Sequence, residues 1–291
     1  MRRPDRARRA VPASLSARRI LITGAARGIG AETARRLHSR GARVALMGME
    51  PELLAQVAAD CGAAPWLECD VSDLAQVDTG VASAVAQLGG LDVVVANAGV
   101  AAQLPLVGGN PRVFERTLAV NVLGVYYTLR AAGPHISHPL GYALAVASLA
   151  AAVHAPLLGA YNASKAAVEA MGDTLRVELH HTGAKVGVAY FAELDTDMTR
   201  RGFGTEAAQR LTHGGALSRT VPLSVGIDAI ERGIARRSRR VVAPSWVGAV
   251  LPVRMLVQRV VDVGARRNLE QVLAIARAED APLTTPQTGA S

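Results

Sequence analysis

Cysteine and lysine are both scarce in this chain of 291 residues. The two cysteines, Cys61 and Cys69, have no second pair that would complete a metal site, and two thiols are too few for a secreted disulfide framework. We therefore expect both to be reduced thiols in a cytoplasmic protein. Lysine occurs only at positions 165 and 185, so a lysine inside a motif is more informative than usual.

Long uninterrupted apolar segments are also missing. The longest uncharged run, residues 131–164, exceeds the roughly 20 residues that a membrane-spanning helix needs, but prolines, histidines and glycines interrupt it. An integral membrane protein is therefore not expected. Because half of the residues are apolar and 19% are charged, the composition indicates a globular protein with a sizeable core.

The net charge of +8 is concentrated in two segments. Residues 1–19 hold seven arginines against one aspartate, and residues 230–270 carry a net charge of +6. We expect residues 1–19 to be a disordered basic tail and residues 282–291 to be a second disordered tail, since neither shows apolar periodicity. Aromatic residues, at 3%, do not interleave with the arginines and no reading module is recognisable, which argues against nucleic-acid binding.

Apolar strand patterns alternate with helical patterns along most of the chain. The expected strands are 19–23, 42–47, 65–69, 91–96, 141–147, 185–191 and 239–243, and the expected helices are 32–39, 51–60, 74–88, 114–132 and 160–181. Apolar strands separated by helices predict a parallel sheet covered on both faces. We therefore expect an α/β fold, a Rossmann-type doubly wound sheet in a single domain over residues 20–245. Residues 246–281 are expected to form a helical extension.

A glycine-rich turn follows the first expected strand and precedes a helix. Its glycines are Gly24, Gly28 and Gly30. Glycines allow the backbone to approach a pyrophosphate, and the free N–H groups at the start of the helix face the anion. The turn indicates a dinucleotide site, although a tight turn without a ligand can have the same spacing.

Tyr161 and Lys165 are four residues apart on an expected helix, so their side chains project from one face. A cationic ammonium beside a phenol favours the phenolate, and we expect Lys165 to lower the pKa of Tyr161 towards the working pH. Tyr161 would then act as a general acid and base. Ser148 follows the fifth expected strand, where its hydroxyl could hold a substrate oxygen while charge develops on it.

Six motifs in this order resemble the short-chain dehydrogenase/reductase family over about residues 18–200. They are Thr23-Gly24-x-x-x-Gly28-x-Gly30, Asp70-Val71, Asn97-Ala98-Gly99, Asn121, Ser148 and Tyr161-x-x-x-Lys165. The resemblance implies an oxidoreductase that interconverts an alcohol and a carbonyl by hydride transfer with a nicotinamide cofactor. The alternative is a catalytically silent nucleotide-binding sensor or scaffold protein with the same fold.

The resemblance also implies a role for each matched residue. Tyr161 moves the proton, Lys165 holds the nicotinamide ribose, Ser148 orients the carbonyl, and Asn121 supports a water-linked proton relay. The implied cofactor-binding residues are Gly24, Arg27, Gly28, Ile29, Gly30, Asp70, Val71, Asn97, Ala98, Gly99, Tyr161, Lys165 and Thr196. Asp70 and Val71 would flank the adenine, although Asp70 could instead cap a helix. Thr196 would meet the nicotinamide amide, but its loop lacks the Pro-Gly that is usual in the family.

The end of the second strand indicates which cofactor is used. An acidic side chain there would bind the ribose hydroxyls and repel a 2′-phosphate, but this chain has Gly48. Because Arg27 in the glycine-rich turn could reach a 2′-phosphate, we expect a modest preference for NADP over NAD. NAD is the alternative cofactor, because the acidic side chain of Glu50 lies two residues beyond Gly48.

Three segments bear on the substrate and partners. Residues 197–222 contain four glycines and little periodicity, which predicts a substrate lid. Residues 149–158 and 246–263 are aliphatic, so we expect an apolar small-molecule substrate. We expect 246–263 to pack over the substrate cleft or against another subunit of a homo-oligomer, a dimer or tetramer. The alternative for residues 246–263 is a basic amphipathic helix in peripheral contact with an anionic membrane. No metal-ligand spacing is present, so no metal site is expected.

Overall fold

The structure is a computed structural model. It describes residues 15–202, 205–211, 220–266, 268–279 and 283. The expected tails therefore lie outside the described residues, apart from their ends at residues 15–19 and 283. Part of the expected substrate lid, residues 203–204 and 212–219, also lies outside them.

Seven strands form one parallel sheet with the order β3-β2-β1-β4-β5-β6-β7. The strands are β1 (Arg19–Thr23), β2 (Arg43–Gly48), β3 (Trp66–Glu68), β4 (Val93–Ala96), β5 (Tyr142–Val146), β6 (Lys185–Phe191) and β7 (Arg240–Ala243). The chain leaves β1 towards one edge of the sheet and returns to the other side of it at β4. A crevice is expected at this reversal, outside the carboxyl ends of the strands.

Helices cover both faces of the sheet. They are α1 (Gly28–Ser39), α2 (Pro51–Asp60), α3 (Leu74–Leu88), α4 (Pro111–Leu118), α5 (Gly124–Ile136), α6 (Gly159–Glu178), α7 (Asp197–Gly202), α8 (Glu206–Leu211), α9 (Leu223–Arg236), α10 (Val247–Val250), α11 (Arg254–Gly264) and α12 (Leu269–Glu279). In β1, Ile20 and Ile22 pack with α1, α2 and α9, whereas Leu21 packs with α3 and α5 on the other face. Since alternate residues of a strand point to opposite faces, this explains why the strands are apolar throughout. The expected doubly wound fold is confirmed.

One expected helix is interrupted. Residues 114–132 were expected to form a single helix, but a π-helical turn, Ala119–Leu123, separates α4 from α5. Asn121 lies in this turn, and its side chain bonds the backbone of Val100 twice: Oδ1 accepts from N–H at 2.8 Å and Nδ2 donates to the carbonyl at 2.9 Å. Such turns are frequent at functional sites.

The segment after β7 is helical. It contains α10, a 3₁₀ turn at Leu251–Val253, α11 and α12. The described part of residues 197–222, for which a substrate lid is expected, contains α7 and α8. Ala207 anchors α8 by packing against Val272 and Ala276 of α12. Among the described residues, no helix is both long and apolar enough to cross a membrane.

Candidate active site

The glycine-rich turn between β1 and α1 forms a tight cradle. Gly28 has a φ of +54°, in the left-handed region that favours glycine, and the nearest atom to an added Cβ would be Thr196 Cγ2 at 4.0 Å. A Cβ at Gly30 would overlap the carbonyl oxygen of Gly24. The cradle therefore combines close backbone contact with open space at the start of α1, as a dinucleotide pyrophosphate requires.

A cleft opens above this turn at the carboxyl edge of the sheet. Twelve of the sequence-predicted residues line it: Gly24, Arg27, Gly28, Ile29, Val71, Asn97, Ala98, Gly99, Ser148, Tyr161, Lys165 and Thr196. Cys69 and Asp197 also line it, and no motif had indicated them. The residues in the cleft fit a nicotinamide dinucleotide.

Asp70 and Gly30 support the cleft without lining it. The Asp70 carboxylate accepts hydrogen bonds from Arg116, at 2.7 Å, and from the Ser72 hydroxyl, at 2.8 Å. The interpretation of Asp70 as a helix cap is wrong, because Asp73 caps α3 by accepting from two backbone N–H groups. The side chain of Asp70 therefore holds α4 through Arg116, while Val71 next to it faces the cleft.

Three polar side chains meet at the inner end of the cleft. The Tyr161 hydroxyl hydrogen-bonds the side chain of Ser148, whose Oγ also donates to the Phe191 carbonyl at 3.3 Å. Lys165, one turn further along α6, is only 4% exposed. Its Nζ donates to the Val146 carbonyl at 2.9 Å and lies 5.5 Å from the centre of the Tyr161 ring.

The electrostatics of this group differ from expectation. Burial raises the pKa of Tyr161, and the hydrogen bond with Ser148 offsets only part of that rise. Our expectation that Lys165 lowers the pKa of Tyr161 is wrong for this structure, because the ammonium lies against the ring and is bound by a carbonyl. Burial also lowers the pKa of Lys165 to about 8. Near neutral pH, Tyr161 is therefore a protonated phenol that has a proton to donate.

Asn121 is fully buried behind these groups and does not line the cleft. Besides bonding Val100, its Nδ2 donates to Ser164 Oγ at 3.0 Å, and Ser164 donates to the Tyr161 carbonyl at 2.7 Å. The π-helical turn is thereby fastened to α6 close to the tyrosine.

Arg27 forms an ion pair with Glu50, which the sequence did not predict. Its Nε donates to Glu50 Oε2 at 2.6 Å, and its Nη2 bonds the other carboxylate oxygen. A third nitrogen, Nη1, lies 3.8 Å from Asp197 at the start of α7. The guanidinium thus joins the glycine-rich turn to the end of β2 and to the lid region.

A second cavity adjoins the cleft at Ser148 and Tyr161. Its walls are mainly apolar and include Leu149, Val153 and Leu158 from the predicted segment and Val261 from α11. Residues 246–263 thus contribute one side chain, Val261, to the wall of this cavity. Asn162 also lines this cavity, although no sequence pattern indicated it. Its Nδ2 donates to the Ala155 carbonyl at 3.1 Å, and its buried Oδ1 has no partner among the described residues.

Comparisons with known proteins agree with this geometry. A family model described as short chain dehydrogenase matches residues 18–207. A fatty acyl-CoA reductase of Mycobacterium tuberculosis is 29% identical over 257 residues, covering 84% of this chain and 86% of that protein. A protein of Arabidopsis thaliana named 11-beta-hydroxysteroid dehydrogenase-like 6 is 32% identical over 264 residues, covering 85% of this chain and 75% of the relative.

A solved structure shows the same fold. The crystal structure of a short chain dehydrogenase/reductase from Burkholderia phymatum in complex with NAD aligns with a TM-score of 0.73 and 23% identity, over 86% of this chain and 96% of that one. The match of the family model to most of the chain, together with the ordered motifs around one cleft, shows that this protein belongs to the short-chain dehydrogenase/reductase family of oxidoreductases.

Proposed function

We propose that the protein interconverts an alcohol and a carbonyl with a nicotinamide dinucleotide, and that Tyr161 is its general acid and base. One observation carries this proposal: Ser148, Tyr161 and Lys165 meet where the dinucleotide cleft joins an apolar cavity. A catalytically silent sensor or scaffold would bind the dinucleotide equally well, but it would not need these three side chains together.

The residues that would hold the cofactor follow from the cleft. The cradle at Gly28 and the free N–H groups of α1 suit the pyrophosphate, and Val71 and Ala98 suit the adenosine. Lys165 would hold the nicotinamide ribose, and Thr196 would meet the amide. When bound, the nicotinamide supplies or accepts the hydride.

The proton chemistry belongs to the chain itself. In carbonyl reduction, Tyr161 donates its proton to the substrate oxygen as negative charge develops there. Ser148 turns its hydroxyl from the Phe191 carbonyl to the same oxygen and stabilises that charge. The resulting phenolate is reprotonated through a water-linked relay supported by Asn121, while the Lys165 ammonium holds the nicotinamide ribose. Alcohol oxidation uses the same steps in reverse.

The cavity supports an apolar substrate. Val153, Leu158 and Val261 present hydrocarbon to the space beyond Tyr161, so the free energy of binding would come mainly from buried apolar surface.

Purified full-length protein should therefore oxidise NADPH or NADH when given apolar ketones, aldehydes or steroids. Loss of nicotinamide absorbance measures the turnover, and the Tyr161→Phe variant is the control for contaminating enzymes. Dinucleotide binding without turnover across the panel would favour the sensor or scaffold instead.

We also propose a homo-oligomer, a dimer or tetramer. Leu123 and Tyr126 lie at the junction of the π-helical turn and α5. Their exposed apolar side chains, three residues apart, could form a contact with a second subunit. Analytical ultracentrifugation of the wild type and of Leu123→Gln/Tyr126→Gln would measure this: the variant should lower the mass, and a monomeric wild type would contradict the proposal.

For the cofactor, we propose a modest preference for NADP(H) that Glu50 limits by holding Arg27. Arg27→Ala should weaken NADPH binding by about 1.5 to 3 kcal/mol, the range for a charge-assisted hydrogen bond, and leave NADH almost unchanged. Glu50→Gln should strengthen NADPH binding, by about tenfold, because it frees the guanidinium and removes a negative charge near the phosphate.

Fluorescence titration with each cofactor measures both effects. Arg35→Ala is the matched control, since Arg35 is also ion-paired on α1 but lies outside the cleft. Tighter binding of NADH than of NADPH by the wild type would show that Arg27 stabilises the glycine-rich turn and does not bind a 2′-phosphate.

A further inference from the structure

The outer face of α11 is an apolar row in contact with water. Leu256, Val260 and Val263, spaced by four and three residues, are 63%, 72% and 65% exposed. Six of the fourteen large apolar side chains that are exposed in the described part of the chain fall within residues 246–263. Single exposed apolar residues are ordinary, but a continuous row indicates an interaction surface.

The opposite side of the same helix is fixed to the protein. Arg254 pairs with Glu169 of α6 at 3.0 Å, and Gln258 exchanges two hydrogen bonds with the backbone of His154, at 2.7 and 3.1 Å. Val261 lines the second cavity. These contacts hold α11 in one orientation, with its apolar row outward.

Arginines run beside the apolar row. Arg259 lies on α11 and Arg266 lies in the turn that follows the helix, and both side chains are exposed. Neither makes an ion pair with any residue that the structure describes, whereas Arg254 is paired with Glu169. The one acid of α11, Asp262, accepts from Gln258. An apolar row bordered by free arginines is the pattern of a helix that lies in a membrane interface.

We propose that the outer face of α11 docks onto the surface of an anionic phospholipid bilayer. Its aliphatic side chains would enter the headgroup region, and Arg259 and Arg266 would pair with lipid phosphates. A second copy of the chain fits this face less well, because it would bring a second set of the same arginines against the first.

Docking would also position the active site. The inner side of α11 forms part of the wall of the cavity beside Tyr161, so the cavity would lie at the bilayer surface. That consequence rests on the proposed function, but the docking itself does not, and vesicle binding can be measured without turnover.

The test is flotation of the full-length protein with vesicles of phosphatidylcholine containing about a third phosphatidylglycerol, and with phosphatidylcholine alone. We expect the wild type to bind the anionic vesicles and Leu256→Gln/Val260→Gln to bind them about tenfold more weakly. Arg259→Gln/Arg266→Gln should lose several-fold on anionic vesicles only, and high salt should have the same effect. Leu140→Gln/Val177→Gln, which changes two exposed apolar residues elsewhere, is the matched control.

Several outcomes would overturn the proposal. The arginines in residues 1–19 remain in every variant, so equal binding by the wild type and Leu256→Gln/Val260→Gln would assign vesicle binding to that segment. Absence of wild-type binding would also refute docking. A loss of oligomer mass in Leu256→Gln/Val260→Gln with vesicle binding unchanged would identify the face as a subunit contact. Dinucleotide binding by each variant confirms that it is folded.

Discussion

Replacing Tyr161 with phenylalanine should lower turnover by about a hundredfold or more, the usual contribution of general acid–base catalysis. Only the hydroxyl is removed, so the affinity for the dinucleotide should stay close to that of the wild type. Steady-state rates and fluorescence titration of the same preparation measure the two quantities. Tyr126→Phe is the control, because Tyr126 is an exposed tyrosine outside the cleft.

Retention of more than about a tenth of the wild-type rate by Tyr161→Phe would contradict the assignment of the acid and base. A parallel loss of dinucleotide binding would show instead that the hydroxyl, through its hydrogen bond with Ser148, maintains the shape of the cleft.

Replacing Lys165 with methionine should damage both turnover and dinucleotide binding, because the ammonium would hold the nicotinamide ribose and thereby position the ring for hydride transfer. Each should fall by at least about tenfold, the effect of losing one charge-assisted hydrogen bond. Lys185→Met is the matched control: Lys185 is the only other lysine, and it is exposed at the start of β6. Unchanged dinucleotide affinity in Lys165→Met would show that Lys165 does not hold the ribose.

The same substitution should stabilise the protein at neutral pH. Burial lowers the pKa of Lys165 from 10.5 to about 8, so between these values the unfolded chain binds more protons than the folded one. The stability contributed by this group therefore rises with pH across that window, and below it the buried ammonium costs free energy. Without cofactor, Lys165→Met should unfold at pH 7 with a free energy on the order of 2 kcal/mol higher than the wild type. Urea titrations at pH 7 and near pH 10 should show this difference shrinking, and a difference independent of pH would contradict it.

Much of the fold could be predicted from local signals. The bounds of β1, β6, α2 and α3 match the expected residues. Pro51 begins α2 at a position where its missing N–H costs nothing, and Gly89 follows α3 in the left-handed conformation. The π-helical turn could not be found in this way, because the apolar periodicity of α4 and α5 runs through it.

The candidate site was predictable where one short motif supplies several side chains, as at Gly24 to Gly30 or Tyr161 to Lys165. It was not predictable where partners are distant in sequence. The pairing of Thr23 in β1 with Met47 in β2 brings the ends of these strands together, and Glu50 reaches Arg27 as a result. Arg116 likewise meets Asp70 across 46 residues. The altered pKa of Tyr161 also has a tertiary cause, since burial raises it by more than the hydrogen bond with Ser148 lowers it.

The positions of the two lysines suit the protein to surface immobilisation. Lys185 begins β6 and is exposed, whereas the cleft opens beyond the other end of that strand, where Phe191 lines it. Seven residues of extended chain separate the two ends by about 20 Å. Because Lys165 is buried, an amine-reactive resin would couple through Lys185 or the terminal amine. Coupling through Lys185 would leave the mouth of the cleft facing away from the support.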